Sequence, residues 1–230
     1  MSVEKLSVPI AIVIAGGLIA GALYYSNTKA PSQVVNNNVP PTNNNLEMKP
    51  VSSDDHILGN PNADIIIVEY SDPECPFCKT FHTTLQRVMT EYGKDGKVAW
   101  VYRHFPIDQL HSKARKEAEA TECANELGGD GKFWEYINLL YQTTNSNNSL
   151  DPAELPKIAK TVGLNVDAFN TCLSSGKYAE KVEANYQDAV KAGGRGTPNS
   201  IILSKDGTKT PIEGAMPYES LKGIIDALLK

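Results

Sequence analysis

The pattern of apolar and polar positions divides the chain into three stretches. Residues 6–25 (LSVPIAIVIAGGLIAGALYY) form a charge-free apolar run of twenty positions, the length a helix needs to cross a bilayer. Residues 26–55 carry two Asn-Asn-Asn runs, a Pro-Pro pair and almost no large apolar side chain. Such a segment buries too little to offset the entropy of ordering, so it is predicted to be a flexible, disordered linker. From His56 to Lys230 the apolar residues recur with the periods of regular structure.

Within that body, residues 65–70 (IIIVEY) form a short β-branched run bounded by turn residues, which predicts a buried central strand. A helix follows. Phe77, Phe81, Leu85, Val88 and Tyr92 fall three or four apart, and Gly93 lies where the helix should stop. Residues 97–105 (KVAWVYRHF) predict a second strand, closed by Pro106. Residues 112–192 are rich in Ala, Glu, Lys and Leu, with Gly128-Gly129, Asn145, Asn147, Asn148, Gly163 and Gly176 as punctuation, and predict an all-helical insertion. The strand signal returns at 200–204, turns at Lys205-Asp206-Gly207 and continues at 209–213. A last helix is predicted over 218–229, with Leu221, Ile224, Ile225 and Leu228 on one face. The expected organisation is an anchor at 1–25, a linker at 26–55, and an α/β body at 56–230 in which segments 56–111 and 193–230 flank the insertion 112–192.

Composition narrows the partners. The net charge is -5, the sequence pI is near 5.4, and Lys and Arg are not clustered, which excludes a phosphate-binding surface and so nucleic acid. Four cysteines are too few to be the framework of a fold this size. The apolar N-terminal run is read as a membrane anchor whose Tyr24 and Tyr25 suit an interface, with a cleaved signal peptide ending near Ala20-Gly21-Ala22 as the alternative. Both readings export the body.

The candidate chemistry is Cys75-Pro76-Phe77-Cys78, which follows a strand and opens a helix. Proline in a first helical turn loses no hydrogen bond, so Cys75 is expected at the N-cap, facing free backbone N–H groups and the positive end of the helix dipole. Both favour thiolate, and the sulfur is expected to be accessible and electron-rich. Cys78 should turn toward the core as the resolving partner. A zinc site would need a second close-spaced ligand pair, which is missing, and a haem site would need histidine where Lys79 stands. A purely structural disulfide is the remaining alternative. No cofactor and no metal is expected.

CPFC after a strand, the helical insertion, and Gly196-Thr197-Pro198 before the next strand resemble the DsbA family of thioredoxin-fold thiol-disulfide oxidoreductases over residues 65–230. The resemblance implies that Pro198 follows a cis peptide bond against the redox pair. It also implies that the backbone of Thr197, with Pro76 and Phe77, meets an extended substrate peptide. Glu69, six residues before Cys75, occupies the position where the family often has an acid beneath the disulfide, and is expected to relay a proton to Cys78. Strong oxidants of the family have histidine where this chain has Phe77. With Asp72 and Glu74 nearby and Lys79 as partial compensation, a less oxidising pair is expected. Cys123 and Cys172 each lie on an apolar helical stripe and are expected to pair as a structural disulfide.

The function so implied is introduction of disulfides into exported proteins with free thiols, with reoxidation by a DsbB- or VKOR-like membrane partner, the body lying outside the cytoplasm. A reductase or isomerase is the alternative, and a non-enzymatic holdase or scaffold the second. The four histidines carry no strong signal, Trp100 and Trp134 are expected in the core, and residues 141–150 are read as a helix connection.

Overall fold

The computed structural model describes Thr42 and residues 46–230. The anchor at 1–25 and all of the linker before residue 46 except Thr42 lie outside the described residues, among which no helix is long and apolar enough to cross a membrane. Strands β1 (His56–Leu58), β2 (Ile65–Ser71), β3 (Val98–His104), β4 (Asn199–Ser204) and β5 (Lys209–Glu213) form one sheet in the order β1-β3-β2-β4-β5. β2 runs parallel to β3, and the other neighbouring pairs are antiparallel. The short edge strand β1 has no counterpart in the sequence reading, because three residues are too few to show a period.

Side-chain parity assigns the two faces of the sheet. Ile65, Ile67 and Glu69 alternate with Ile66, Val68 and Tyr70 on β2. Ile65 and Ile67 pack with Val98, Trp100 and Tyr102 of β3 against Phe81, Leu85 and Val88 of helix α1 (Pro76–Val88) and Leu221 and Ile225 of α6 (Tyr218–Leu228). Val68, Tyr70, Val101 and Ile201 form the opposite face, covered by Ala189 of α5 (Ala179–Lys191). Both faces are covered, which explains the continuous apolar run in β2. Glu69 therefore points into the α1 side of the core.

The insertion consists of α2 (Ala114–Thr143), α3 (Glu154–Thr161), α4 (Val166–Ser175) and α5. Gly129, at φ 74°, breaks α2 in a left-handed conformation that favours glycine, so one long helix serves as two. Asn165 caps α4 by accepting the Ala168 N–H. A second core gathers Cys123, Tyr136, Leu140, Ile158, Phe169 and Cys172. Cys123 and Cys172 are joined there, 49 residues apart in sequence.

Residues 46–55, assigned to the flexible linker by composition, are held against the body. Arg103, only 3% exposed, reaches the carboxylates of Asp55 and Asp188 at 2.7 and 2.8 Å. It also reaches the carbonyls of Lys49 and Pro50 at 3.0 and 3.2 Å. Leu46, Met48 and Val51 pack beside it on the β2–β3 face. A buried guanidinium needs this many acceptors, and removing one partner of such a pair costs about 3–5 kcal/mol. Composition misread this segment because its binding partner lies about fifty residues further along the chain.

Replacing Cys123 and Cys172 together with alanine is expected to lower the unfolding free energy by about 2–4 kcal/mol. The reactivity of Cys75 should be left intact. Urea unfolding and thiol labelling of the double variant test both statements.

Candidate active site

Cys75 is the N-cap of α1, with extended backbone (φ -79°, ψ 122°), and Pro76 occupies the first helical turn. The first helical hydrogen bond, from Lys79 N to Cys75 O, is 3.1 Å long. That geometry turns the Cys75 sulfur toward the segment before β4, where the Thr197–Pro198 peptide is cis and the Thr197 carbonyl oxygen lies 3.4 Å from Sγ. Beside this loop opens a groove of about 280 Å³ lined by Arg195, Thr197, Pro198 and Glu213.

The two sulfurs differ in burial and in acidity. A hydrogen bond from the Cys78 thiol is the main influence pulling the Cys75 thiol down to about 6. Partial burial opposes it, while the Thr197 hydroxyl and the N–H groups of Cys78 and Phe77 assist. Burial pushes Cys78 well above the ordinary thiol range, and its bond to the Cys75 thiolate adds to this. Both cysteines are free thiols in this structure. The expected accessible sulfur is recessed: Cys75 is 4% exposed, Cys78 is fully buried, and Phe77 stands out between them at 65%. The helical period puts Phe77 on the apolar face of α1, but its side chain stands in solvent and outside the core that this face packs.

Glu69 is fully buried, accepting from Ser71 Oγ at 2.8 Å and from Trp100 Nε1 at 2.9 Å. Burial outweighs these two donors and pushes its carboxyl up to about 7, with the Cys75 thiolate adding a smaller upward push. Ser71 continues the network to the Tyr141 hydroxyl at 3.0 Å, and Tyr141 lies 3.3 Å from the Tyr102 hydroxyl. Sequence reasoning missed Ser71 and Tyr141. The strand period carried a signal for Ser71, since it lies two residues after Glu69 and shares its face. Nothing local pointed to Tyr141.

The other acids near the pair are turned away from it. Asp72 Oδ2 accepts from Ile107 N at 2.8 Å and bonds His111 Nδ1 at 2.9 Å. The Glu74 carboxylate accepts from Thr144 Oγ1 at 3.0 Å and from the N–H groups of Ser149 and Leu150 at 3.3 Å each. Residues 144–150 are thus more than a helix connection: Ser146, Asn147 and Asn148 take three successive left-handed conformations to wrap this carboxylate. The Lys79 ammonium donates to the Thr144 carbonyl at 2.5 Å. His82, unassigned from sequence, is buried against Trp100 and bonded to Asn138, and burial pushes it down to about 4.

A family model described as thioredoxin matches residues 52–227. The crystal structure of Pseudomonas aeruginosa DsbA2 is similar at 26% identity and a TM-score of 0.66, over 78% of this chain and 97% of that one. Wolbachia pipientis alpha-DsbA1 is similar at 26% identity and a TM-score of 0.68, over 80% of this chain and 94% of that one. Oxidised BdbD from Bacillus subtilis, 21% identical with a TM-score of 0.69 over 80% of this chain and 97% of that one, shares the fold. Among curated proteins, the Na(+)/H(+) antiporter NhaA 1 of Mycobacterium sp. (strain KMS) is 30% identical over 194 residues, 83% of this chain. The chain spans only 30% of that relative's length.

The alkylation rate of the reduced protein by iodoacetamide is expected to rise with a midpoint near pH 6 and to level off above it, as the Cys75 thiolate fills. Thr197→Val removes a donor to that thiolate and should move the midpoint upward; an unmoved midpoint would exclude the hydroxyl as its support. Glu69 works with the opposite sign. Its carboxyl ionises at about 7 in the folded state against 4.5 unperturbed, so ionisation costs stability. In the reduced protein, Glu69→Gln should gain nothing over the parent below about pH 4.5, gain progressively toward pH 7 and hold a constant excess above it, read by urea unfolding at each pH.

Proposed function

The chain belongs to the thioredoxin family and is a DsbA-like thiol-disulfide oxidoreductase, and from this premise we propose that it donates disulfides to exported proteins through Cys75 and Cys78. The observation that carries the reading is the asymmetry of the pair: one sulfur ionises near pH 6 at the surface end of α1, and the other is held protonated in the core. A dithiol whose thiolate is stabilised in this way favours its reduced form, which makes the disulfide an oxidant.

In the proposed sequence a client thiolate attacks Cys75 Sγ, the Cys75–Cys78 bond breaks, and Cys78 leaves with the electron pair. Cys78 is buried and basic, so it must take up a proton. Glu69, near neutrality and coupled by charge to Cys78, is the group proposed to supply it through the polar network beneath the pair. A second client thiolate then attacks the client sulfur of the mixed disulfide and expels Cys75 as a thiolate. Two electrons have moved to the protein, and the client has gained one disulfide. Phe77, Pro76 and the Thr197–Pro198 segment are proposed to receive the client backbone beside Cys75.

We assign the step that restores the disulfide to a membrane partner of the DsbB or VKOR class, and read the apolar run at 1–25 as the anchor that keeps the body near it, outside the cytoplasm. The Cys123–Cys172 bond supports an oxidising compartment. Residues 26–45 are assigned to the tether, 46–111 and 193–230 to the thioredoxin core, and 112–192 to the insertion. Asp72 and Glu74, turned to partners of their own, weigh less against an oxidising pair than their position in the sequence implies.

Purified protein should accelerate oxidative refolding of a reduced client, with Cys75→Ser abolishing the effect and Cys78→Ser accumulating a mixed disulfide on Cys75. Glu69→Gln should slow release of Cys78 and lower the Cys75 midpoint only slightly, because the charge coupling between Cys75 and Glu69 is a minor influence on Glu69. Acceleration of insulin reduction by dithiothreitol without any gain in refolding would reverse the assigned direction. Refolding assistance that survives Cys75→Ser would leave a holdase.

A further inference from the structure

Away from the redox pair, three buried side chains converge where the sheet meets the insertion. His56 comes from the edge strand β1, His104 from the end of β3, and Glu122 from α2. His56 Nε2 and His104 Nε2 lie 2.9 and 2.8 Å from the same oxygen, Glu122 Oε1, and the three atoms fall within 4.8 Å of one another. His56 is 3% exposed, and His104 and Glu122 are fully buried. The second nitrogen of the His56 ring lies 3.0 Å from Asp130 Oδ1, and the ring stacks on Phe133. The Lys181 ammonium completes the cluster, 2.7 Å from Glu122 Oε2 and 3.3 Å from His56 Nε2.

We propose that His56, His104 and Glu122 form a binding site for a divalent transition metal of the Zn²⁺ class, with Asp130 orienting His56 and Lys181 holding the cation's place when no metal is bound. Two imidazoles and a carboxylate are a donor set suited to zinc and its neighbours, and a poor one for calcium or magnesium. A carboxylate behind a ligating imidazole is the arrangement that fixes the ring and raises its basicity. The remaining coordination position can be filled by water, since a cavity of about 450 Å³ adjoins the site and is lined by His56, Asp130 and Lys181.

A positive charge faces Glu122 with and without the ion. In its absence the Lys181 ammonium lies 2.7 Å from Glu122 Oε2, and each ring nitrogen of His56 has a carboxylate oxygen within 3.0 Å. A bound M²⁺ takes the place of the ammonium beside Glu122, any proton on a ligating nitrogen passes to solvent, and the Lys181 side chain, 31% exposed, withdraws into the cavity. His104 must move its remaining proton from Nε2 to Nδ1. Nδ1 has no hydrogen-bond partner among the described residues, so no bond opposes this move. The ion would tie the edge strand, the end of β3 and the insertion together. It would not enter the redox reaction.

The test uses the full-length chain with Cys75–Cys78 oxidised, so that no thiolate competes, and titrates Zn²⁺ against a chromophoric chelator and Co²⁺ by visible absorption. One equivalent per chain is expected, with the Co²⁺ bands of nitrogen and oxygen ligands and no sulfur charge-transfer band. Asp130→Asn, at a half-exposed position, should weaken binding by about 10–100-fold with the fold retained. Lys181→Met removes the competing ammonium and should bind tighter than the parent, a gain that a misfolded variant cannot produce. Binding indifferent to both substitutions, or a folded Lys181→Met that takes up no ion, overturns the proposal.

Discussion

The ionisation of one sulfur depends on the burial of the other. Cys75 carries a thiolate near neutrality chiefly because the Cys78 thiol donates to it, and Cys78 keeps its proton because it is fully buried. The two pKa shifts are one interaction seen from its two ends. The Thr197 hydroxyl and the N–H groups at the start of α1 add to the asymmetry, but they could not produce it if Cys78 were solvated. Everything that keeps Cys78 buried is therefore part of the site, including the packing of α1 on β2 and β3 and the aromatic layer of Trp100 and Tyr102 below it.

The same core sets the acidity of Glu69, the group proposed to protonate Cys78. A carboxyl on an exposed strand face would be ionised throughout the neutral range and unable to deliver a proton. Enclosed between α1 and the sheet, with only Ser71 and Trp100 as donors, it is balanced near neutrality. Desolvation thus acts in opposite directions on reactivity at neighbouring groups: it silences Cys78 as a nucleophile and brings Glu69 into the working range.

The polar groups at the rim of the pair serve a different purpose. Asp72 and Glu74 flank Cys75 in sequence, yet each carboxylate is consumed by backbone and side-chain donors from segments far along the chain. Glu117 is pushed up to about 9 by burial and by the charge of Glu74, so it stays protonated beside that carboxylate. The result is a fixed frame for the turn that presents Cys75. A charge count along the sequence treats the same acids as electrostatic opponents of the thiolate.

Local pattern determined much of this protein. Hydrophobic period gave four of the five described strands, the helices and the insertion. Strand–CPFC–helix gave the redox pair and its polarity, because N-cap geometry and the dipole belong to the helix itself. The family resemblance places Glu69 beneath the disulfide, and parity along β2 agrees with it. Phe77, residues 46–55, the Glu74 frame and the His56–His104–Glu122 cluster were decided only by tertiary structure. In each, the partner lies many residues away or the side chain stands outside the core, and pairing across such distances leaves no periodic trace in the chain.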